Sequence, residues 1–302
     1  MPSSRIIEAV ANSLARVAIA VPMVERALLF GTRRPRLRKH LRLGAIALGY
    51  TRVLGRRELR IAHLNGYQYY VNVGESLGIE SYFFGSSGAL AITRSLIRPG
   101  DVCVDAGANA GPYTFLCASI VGPQGNVIAF EPNPEFSSLI AKSVRLNAYD
   151  GFVRIREHAL DSVTGLKKRF YVSTNPMNTG TSSLVNHGWY ISEEQTIEVQ
   201  TLAFDDFARD AGIGHFRLVK IDVERAEDAV IDGALNTIAE GRVDFFIIEL
   251  FMGARAQILL ERAGYRAFLI SEGKRLVPVT DVEQGRFGDY LFVRPGLEIP
   301  SS

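Results

Sequence analysis

The residues best placed to do chemistry are a lysine and several carboxylates in one short run. Lys220, Asp222, Glu224 and Glu227 fall within VKIDVERAE, and Glu249 closes a second apolar run, VDFFIIEL. Strand alternation sends Lys220, Asp222 and Glu224 to one side and Ile221 and Val223 to the other. A lysine among carboxylates holds a base ionised, and such a base can take the proton of a hydroxyl. The same oxygens suit a hard divalent cation such as Mg²⁺, with Asp222 and Glu249 as its candidate ligands. The plainest alternative is an ion pair of Lys220 with Glu224 that only orders the loop. His158, His187 and His215 are other candidate proton acceptors. His187 is the best placed of them, because residues 175–190 form a polar, Gly-containing insertion. That segment is either a surface excursion or a cover for an acceptor pocket, with Trp189 or Tyr190 to stack on a sugar face.

A second set of residues reads as a cofactor turn. Asp105, Gly107, Asn109 and Gly111 make a D-x-G-x-N-x-G sequence between an apolar run and a helical one. The two glycines remove side chains where the backbone must turn sharply or approach a ligand. The pattern is not the G-x-G-x-x-G that cradles a pyrophosphate. An acid ahead of the first glycine can meet an ammonium group, so the turn fits S-adenosylmethionine better than a dinucleotide. Glu131 ends the next apolar run, where a carboxylate can accept from both hydroxyls of a ribose, and Asn133 follows in the same turn. Asp161 stands at the end of the third and can accept from an adenine amino group. One such acid would be a solvated chain end; three at successive strand ends point to one ligand.

Those residues need a scaffold that brings strand ends together. Apolar runs at 101–107, 126–132, 152–160, 217–223 and 243–250 alternate with helical stretches at 112–121, 134–147, 226–240 and up to residue 263. Such alternation predicts a mostly parallel α/β sheet with helices on both faces. The runs 265–270 and 289–295 close it as an antiparallel pair. Ligands of such sheets sit beyond the carboxyl ends of the strands, where strand order reverses. Residues 59–73 have hairpin character around Asn65-Gly66.

Composition removes several classes of function. With 302 residues, 47% hydrophobic and 22% charged, the chain has enough apolar content to bury a core. Cys103 and Cys117 are the only cysteines, which excludes a disulfide framework and fits a reducing, cytoplasmic setting. Residues 1–60 hold 13 Lys/Arg and 3 Asp/Glu, a charge of +10, whereas 61–302 carry −8. The acidic catalytic portion argues against a nucleic-acid partner. In the N-terminal part, the apolar run 17–30 is interrupted by Pro22, Glu25 and Arg26, and is too short for a spanning helix of about 20 residues. No small-residue cleavage site follows it. The basic run 33–42 comes next. The segment reads as a helical lid or oligomer element, or as a peripheral contact with the inner face of an anionic membrane. The expected division is a basic helical extension, 1–60, and a catalytic domain, 61–302.

Five stretches together resemble the FkbM-type methyltransferases: VDAGANAGPYT, AFEPNPE, GTSSL (180–184), TLAFDDF (201–207) and VKIDVERAEDAVIDGA (219–234). The likeness covers roughly residues 70–295. It implies a class I, Rossmann-like fold with a seven-stranded sheet. It also implies S-adenosylmethionine-dependent O-methylation of a sugar or glycosylated acceptor, or of a small secondary metabolite. Arg225 departs from the family pattern, which has glycine after the Glu. If that position needs a positive φ, the arginine is strained there. It would either impair the site, leaving a cofactor-binding scaffold, or place a guanidinium suited to an anionic substrate. Pro112 stands where the family often has an aromatic residue, a harmless exchange at a first helical position.

Overall fold

The computed structural model describes residues 11–13, 15–16, 22–32, 58–64, 66–84, 88–175, 179–188, 191–271 and 275–299. Chain contacts divide the molecule into two units, 1–86 with 175–180, and 87–174 with 181–302. The hairpin, expected beyond a boundary after residue 60, therefore groups with the first unit.

In the first unit, α1 (Pro22–Thr32), β1 (Leu59–Leu64) and β2 (Tyr67–Asn72) are joined by side chains from distant positions. β1 and β2 pair antiparallel across Gly66, whose φ of 100° is the left-handed geometry such a turn needs. Alternate residues Tyr67, Tyr69 and Val71 are buried, as the period of two requires. A helical turn, Ser76–Ile79, runs on into Glu80–Phe84. Glu25 of α1 accepts a hydrogen bond from Tyr82 at 3.1 Å and lies 3.7 Å from Arg60 of β1. Asn65, the basic run 33–42, Trp189 and Tyr190 lie outside the described residues. Among those described, no helix is long and apolar enough to cross a membrane.

The second unit is built on the apolar runs that alternation predicted. β3 (Val102–Ala106), β4 (Asn126–Phe130), β5 (Val153–Arg156), β9 (Phe216–Ile221) and β10 (Val243–Phe251) lie parallel. β11 (Arg266–Ile270) and β13 (Phe287–Val293) close the sheet antiparallel. The sheet thus contains a strand in each of the seven apolar runs, but it has eight strands rather than the seven expected. The eighth, β12 (Leu276–Pro278), adds a three-residue edge. The spatial order β12-β11-β13-β10-β9-β3-β4-β5 reverses direction between β3 and β9. The crevice beyond those two strands is where ligands of such sheets bind. β10 is buried along nearly its whole length because helices cover both faces.

The flanking helices are α2 (Gly88–Leu96), α3 (Pro112–Val121), α4 (Pro134–Leu146), α5 (Phe204–Asp210), α6 (Glu227–Asp232), α7 (Leu235–Ala239) and α8 (Arg255–Arg262). Two boundaries differ from the sequence reading. The third apolar run splits at Glu157 into β5 and β6 (His158–Leu160). β6 leaves the main sheet for a three-stranded one with β7 (Lys167–Ser173) and β8 (Ile191–Leu202). The expected helix 226–240 breaks into α6 and α7 at Gly233, where a Cβ would lie 2.2 Å from the Asp161 carbonyl oxygen. That close approach leaves room for glycine only.

The TLAFDDF segment fixes α5 to the sheet. Phe207 meets Phe130 edge-on at 5.0 Å, and Phe204 meets Phe216 at 5.0 Å. Each such buried ring contributes about 2–3 kcal/mol. Asp205 accepts from the Asn236 and Thr237 amides at 2.9 and 2.8 Å and from the Thr237 hydroxyl at 2.6 Å, capping α7. Asp205→Ala removes all three bonds. We expect it to cost about 2 kcal/mol, read as a lower urea midpoint with unchanged slope. An unchanged midpoint would contradict the capping role.

Candidate active site

β3 delivers Asp105 to the crevice and the turn after it delivers a run of backbone amides. Asp105 is buried, and its Oδ2 accepts from the Thr114 amide at 2.9 Å and the Thr114 hydroxyl at 2.6 Å. That pair of bonds ties the first turn of α3 back to β3. The ammonium nearest its other oxygen is Lys220, 3.7 Å away. Gly107 has φ 74°, and a Cβ there would lie 1.8 Å from the Asp222 carbonyl oxygen. Gly111 has φ 89°, and a Cβ would press on the Phe115 ring at 2.6 Å. The two glycines are thus required by the chain's own packing before any ligand is considered. Asn109, at φ 52°, completes the turn, its side chain accepting from the Ala110 amide at 2.6 Å.

Glu131, at the end of β4, reaches into the same turn. One oxygen accepts from the Asn109 amide at 2.7 Å and the other from the Asn133 amide at 2.9 Å. Each oxygen keeps a second lone pair, which is what a diol ligand would use. Burial pushes this carboxyl up to about 7, against the lowering effect of the two amides. Asn133 caps α4 by accepting from the Glu135 amide at 3.0 Å. Asp161, in contrast, is turned to its own surroundings. It accepts from the Ser162 amide at 2.7 Å and lies 2.5 Å from the Lys168 ammonium.

The carboxylates form a second centre one row further along the sheet. Asp105, Lys220 and Ile247 are in register across β3, β9 and β10. Two residues on, Glu249 of β10 faces Asp289 of β13, and Asp222 follows the end of β9. Asp222, Glu224 and Glu249 bring one oxygen each to within 4.8 Å of one another. The Lys220 ammonium is buried beneath them, 3.2 Å from Asp222, 3.3 Å from the Gly107 carbonyl and 5.0 Å from the Tyr113 ring centre. Burial alone would lower Lys220, but Asp222 and then Asp105 outweigh it and hold the ammonium above its ordinary value. The carboxyls are raised as well, which for them favours the neutral form. Burial, and then Asp222, raise Glu249 to about 9, Glu224 to about 7 and Asp289 to about 6.

Lys220 pairs with Asp222 rather than with Glu224. The loop is instead ordered by Glu227, whose carboxylate accepts from the Val223 and Arg225 amides at 3.2 and 3.1 Å. Ser183, in the GTSSL stretch, donates to the Glu224 carbonyl at 2.5 Å from the other side. Between these clamps Glu224 and Arg225 take φ of 54° and 79°. The position does need a positive φ, so Arg225 is strained there. Its guanidinium sits 4.3 Å over the Phe251 ring. His187 is held within its own loop, with Nε2 3.1 Å from the Thr181 carbonyl oxygen. His215 stands at the opposite end of β9, 3.2 Å from Asp244. Asp289 was missed in the sequence because only the β10–β13 register places it beside Glu249.

A doubly wound sheet whose first strand ends in a D-x-G-x-N-x-G turn, with a carboxylate closing the next strand, defines a class I methyltransferase. The comparisons agree. The Methyltransferase FkbM domain matches residues 105–272. The chain is 23% identical over 231 residues to the hexuronic acid methyltransferase AglP of Haloferax volcanii, covering 76% of this chain and 86% of that one. It is 26% identical over 214 residues to the 31-O-demethyl-FK506 methyltransferase FkbM of Streptomyces tacrolimicus, covering 62% and 80%. The FkbM methyltransferase structure from Methylobacillus flagellatus aligns at 15% identity and a TM-score of 0.40, covering 64% of this chain and 43% of that one. The chain belongs to the FkbM methyltransferase family, whose members use S-adenosylmethionine.

Carboxyls raised in the folded state hold protons that the unfolded chain, titrating near 4.5, has released. Their stabilisation is therefore complete below about pH 4.5 and is lost as pH rises through about 7 and about 9. The Tm of the unliganded protein should fall from pH 5 to 9, and Glu249→Gln should stabilise the fold at pH 8 by on the order of 1 kcal/mol, seen as a higher Tm. A pH-independent Tm would contradict the assigned shifts. Arg225→Gly removes a left-handed strain of about 1–2 kcal/mol and a cation–π contact of about 0.5–1 kcal/mol. These nearly cancel, so chemical unfolding should show a change within about 1 kcal/mol.

Proposed function

We propose that the protein transfers a methyl group from S-adenosylmethionine to a hydroxyl of a sugar or glycosylated acceptor. The observation that carries this reading is the Lys220-centred group of Asp222, Glu224 and Glu249, one row beyond the cofactor turn. The buried Asp105 oxygen that accepts no hydrogen bond among the described residues, the remaining lone pairs of Glu131 and the half-buried Asn109 and Ala110 of the turn fit the cofactor's ammonium and ribose. When bound, the cofactor supplies an electrophilic methyl group. Asp105, Gly107, Asn109, Gly111, Glu131 and Asn133 would form its pocket. Asp161, committed to Lys168, would contribute by ordering the wall beside the adenine position rather than by direct contact.

The acceptor hydroxyl must lose its proton as it reacts. Lys220 pairs with Asp222 at 3.2 Å, and Asp222 is the group that would accept the hydroxyl's hydrogen bond and orient it. Glu224, near 7, can take the proton at neutral pH, whereas Glu249, near 9, is protonated there and can donate to the acceptor instead. The likeness to a hexuronic acid methyltransferase favours a sugar acceptor. His187 would sit at the pocket's margin. A second reading uses the same oxygens for Mg²⁺, since Asp222, Glu224 and Glu249 present three hard donors close together.

Calorimetric titration with S-adenosylhomocysteine should show binding that Glu131→Gln weakens at least about tenfold, through loss of charge-assisted hydrogen bonds to the ribose. Asp222→Asn should leave that affinity within about twofold while abolishing transfer of labelled methyl to a panel of sugar acceptors. Equal affinity in Glu131→Gln would remove the ribose assignment. Transfer that survives Asp222→Asn would remove Asp222 from catalysis. Transfer abolished by EDTA and restored by Mg²⁺ would select the metal reading.

A further inference from the structure

The outermost row of the site is chemically unlike the row behind it. Phe251 of β10 and Phe287 of β13 are in register two residues beyond the Glu249–Asp289 pair, and so share its face of the sheet. Their ring centres are 4.7 Å apart, and Phe287 is exposed. Arg225 covers the Phe251 ring at 4.3 Å and is itself exposed. The result is a ladder of Phe287, Phe251 and Arg225 standing beside the carboxylates. The arginine occupies a left-handed backbone position that would favour glycine, held there by Glu227 below and Ser183 above. Strain of this kind persists where the surrounding structure fixes it, and such residues concentrate at ligand sites.

We propose that Arg225, seated on Phe251 and Phe287, is a specificity residue that holds a negatively charged group of the acceptor. The inference rests on the reading of the carboxylate centre as the acceptor site. A guanidinium stacked by its face presents its hydrogen-bonding edge sideways, in the geometry that suits a carboxylate or phosphate. The exposed Phe287 ring beside it offers a surface for the apolar face of a sugar. Charge then sets the acceptor's direction. Asp222 and Glu224 accept from a hydroxyl and disfavour an anion, while Arg225 attracts the anion at the outer edge. An anionic sugar is thereby aligned with its charged end outward and a hydroxyl inward against Asp222. A neutral sugar would lack the outer anchor, and an acceptor with its anion next to the reacting hydroxyl would be driven off by the carboxylates.

The test is calorimetry on the full-length protein saturated with S-adenosylhomocysteine, using D-glucuronate, glucose 6-phosphate and glucose as probes. At least one anionic sugar should bind about tenfold or more tightly than glucose. Arg225→Gln should bring the anions to within about twofold of glucose without changing S-adenosylhomocysteine affinity, and Arg225→Lys should restore part of the preference. Phe251→Leu, which removes the seat and leaves the charge, should weaken all three sugars. Glucuronate ahead of glucose 6-phosphate identifies the anchor's ligand as a carboxylate, and the reverse order as a phosphate. Equal affinity for the three sugars, binding of none of them, or a preference that survives Arg225→Gln overturns the inference. Failure of the wild-type protein to take up S-adenosylhomocysteine, seen in the same experiment, brings down the cofactor reading beneath it.

Discussion

A single buried ammonium organises the centre of this molecule. Lys220 lies under Asp222 and within ion-pair reach of Asp105, and it donates to the Gly107 carbonyl. It therefore links the cofactor turn, the end of β9 and the carboxylate centre. Without it, Asp222, Glu224 and Glu249, whose oxygens lie within 4.8 Å of one another, would have no cation beneath them, a costly arrangement for half-buried carboxyls. Burial, and then the neighbouring Asp222, raise Glu224, Glu249 and Asp289, so that one lysine serves a group whose outer carboxyls hold protons at neutral pH or close to it.

The backbone around Lys220 is as constrained as its charges. Gly107 is pressed against the Asp222 carbonyl, so the cofactor turn and the catalytic loop cannot move independently. The 224–225 turn is clamped by Glu227 within the loop and by Ser183 across from it. Two of the motifs that carry the family resemblance, GTSSL and VKIDVERAE, thus meet in space. Their joint role explains why a stretch of loop and a strand end separated by some forty residues belong to one pattern. A rigid site of this kind holds reacting groups in line, and alignment supplies a large part of the acceleration in group transfer.

Much of this was legible in the sequence because it depends on local pattern. Strands β3, β4, β9 and β10 follow from apolar runs, α3 and α4 from proline at their first turns, and the turn at 105–111 from its glycines. What was not legible depends on pairing between distant segments. Asp289 enters the site only through the antiparallel register of β13 with β10. β6 leaves the main sheet because β8, forty residues later, supplies its partner. Asp161 stands at a strand end as expected, yet Lys168 of β7, two strands away in the small sheet, claims it. The positive φ of Arg225 was inferred only conditionally, since a sequence shows the residue and not the turn.

The central claim is that cofactor and acceptor meet between Glu131 and the carboxylates around Lys220. A crystal structure with S-adenosylhomocysteine tests it most directly. The account predicts the ribose hydroxyls on Glu131 and the sulfur facing Asp222 and Glu249. A ligand bound elsewhere, or bound with its sulfur turned away from those carboxylates, would contradict it.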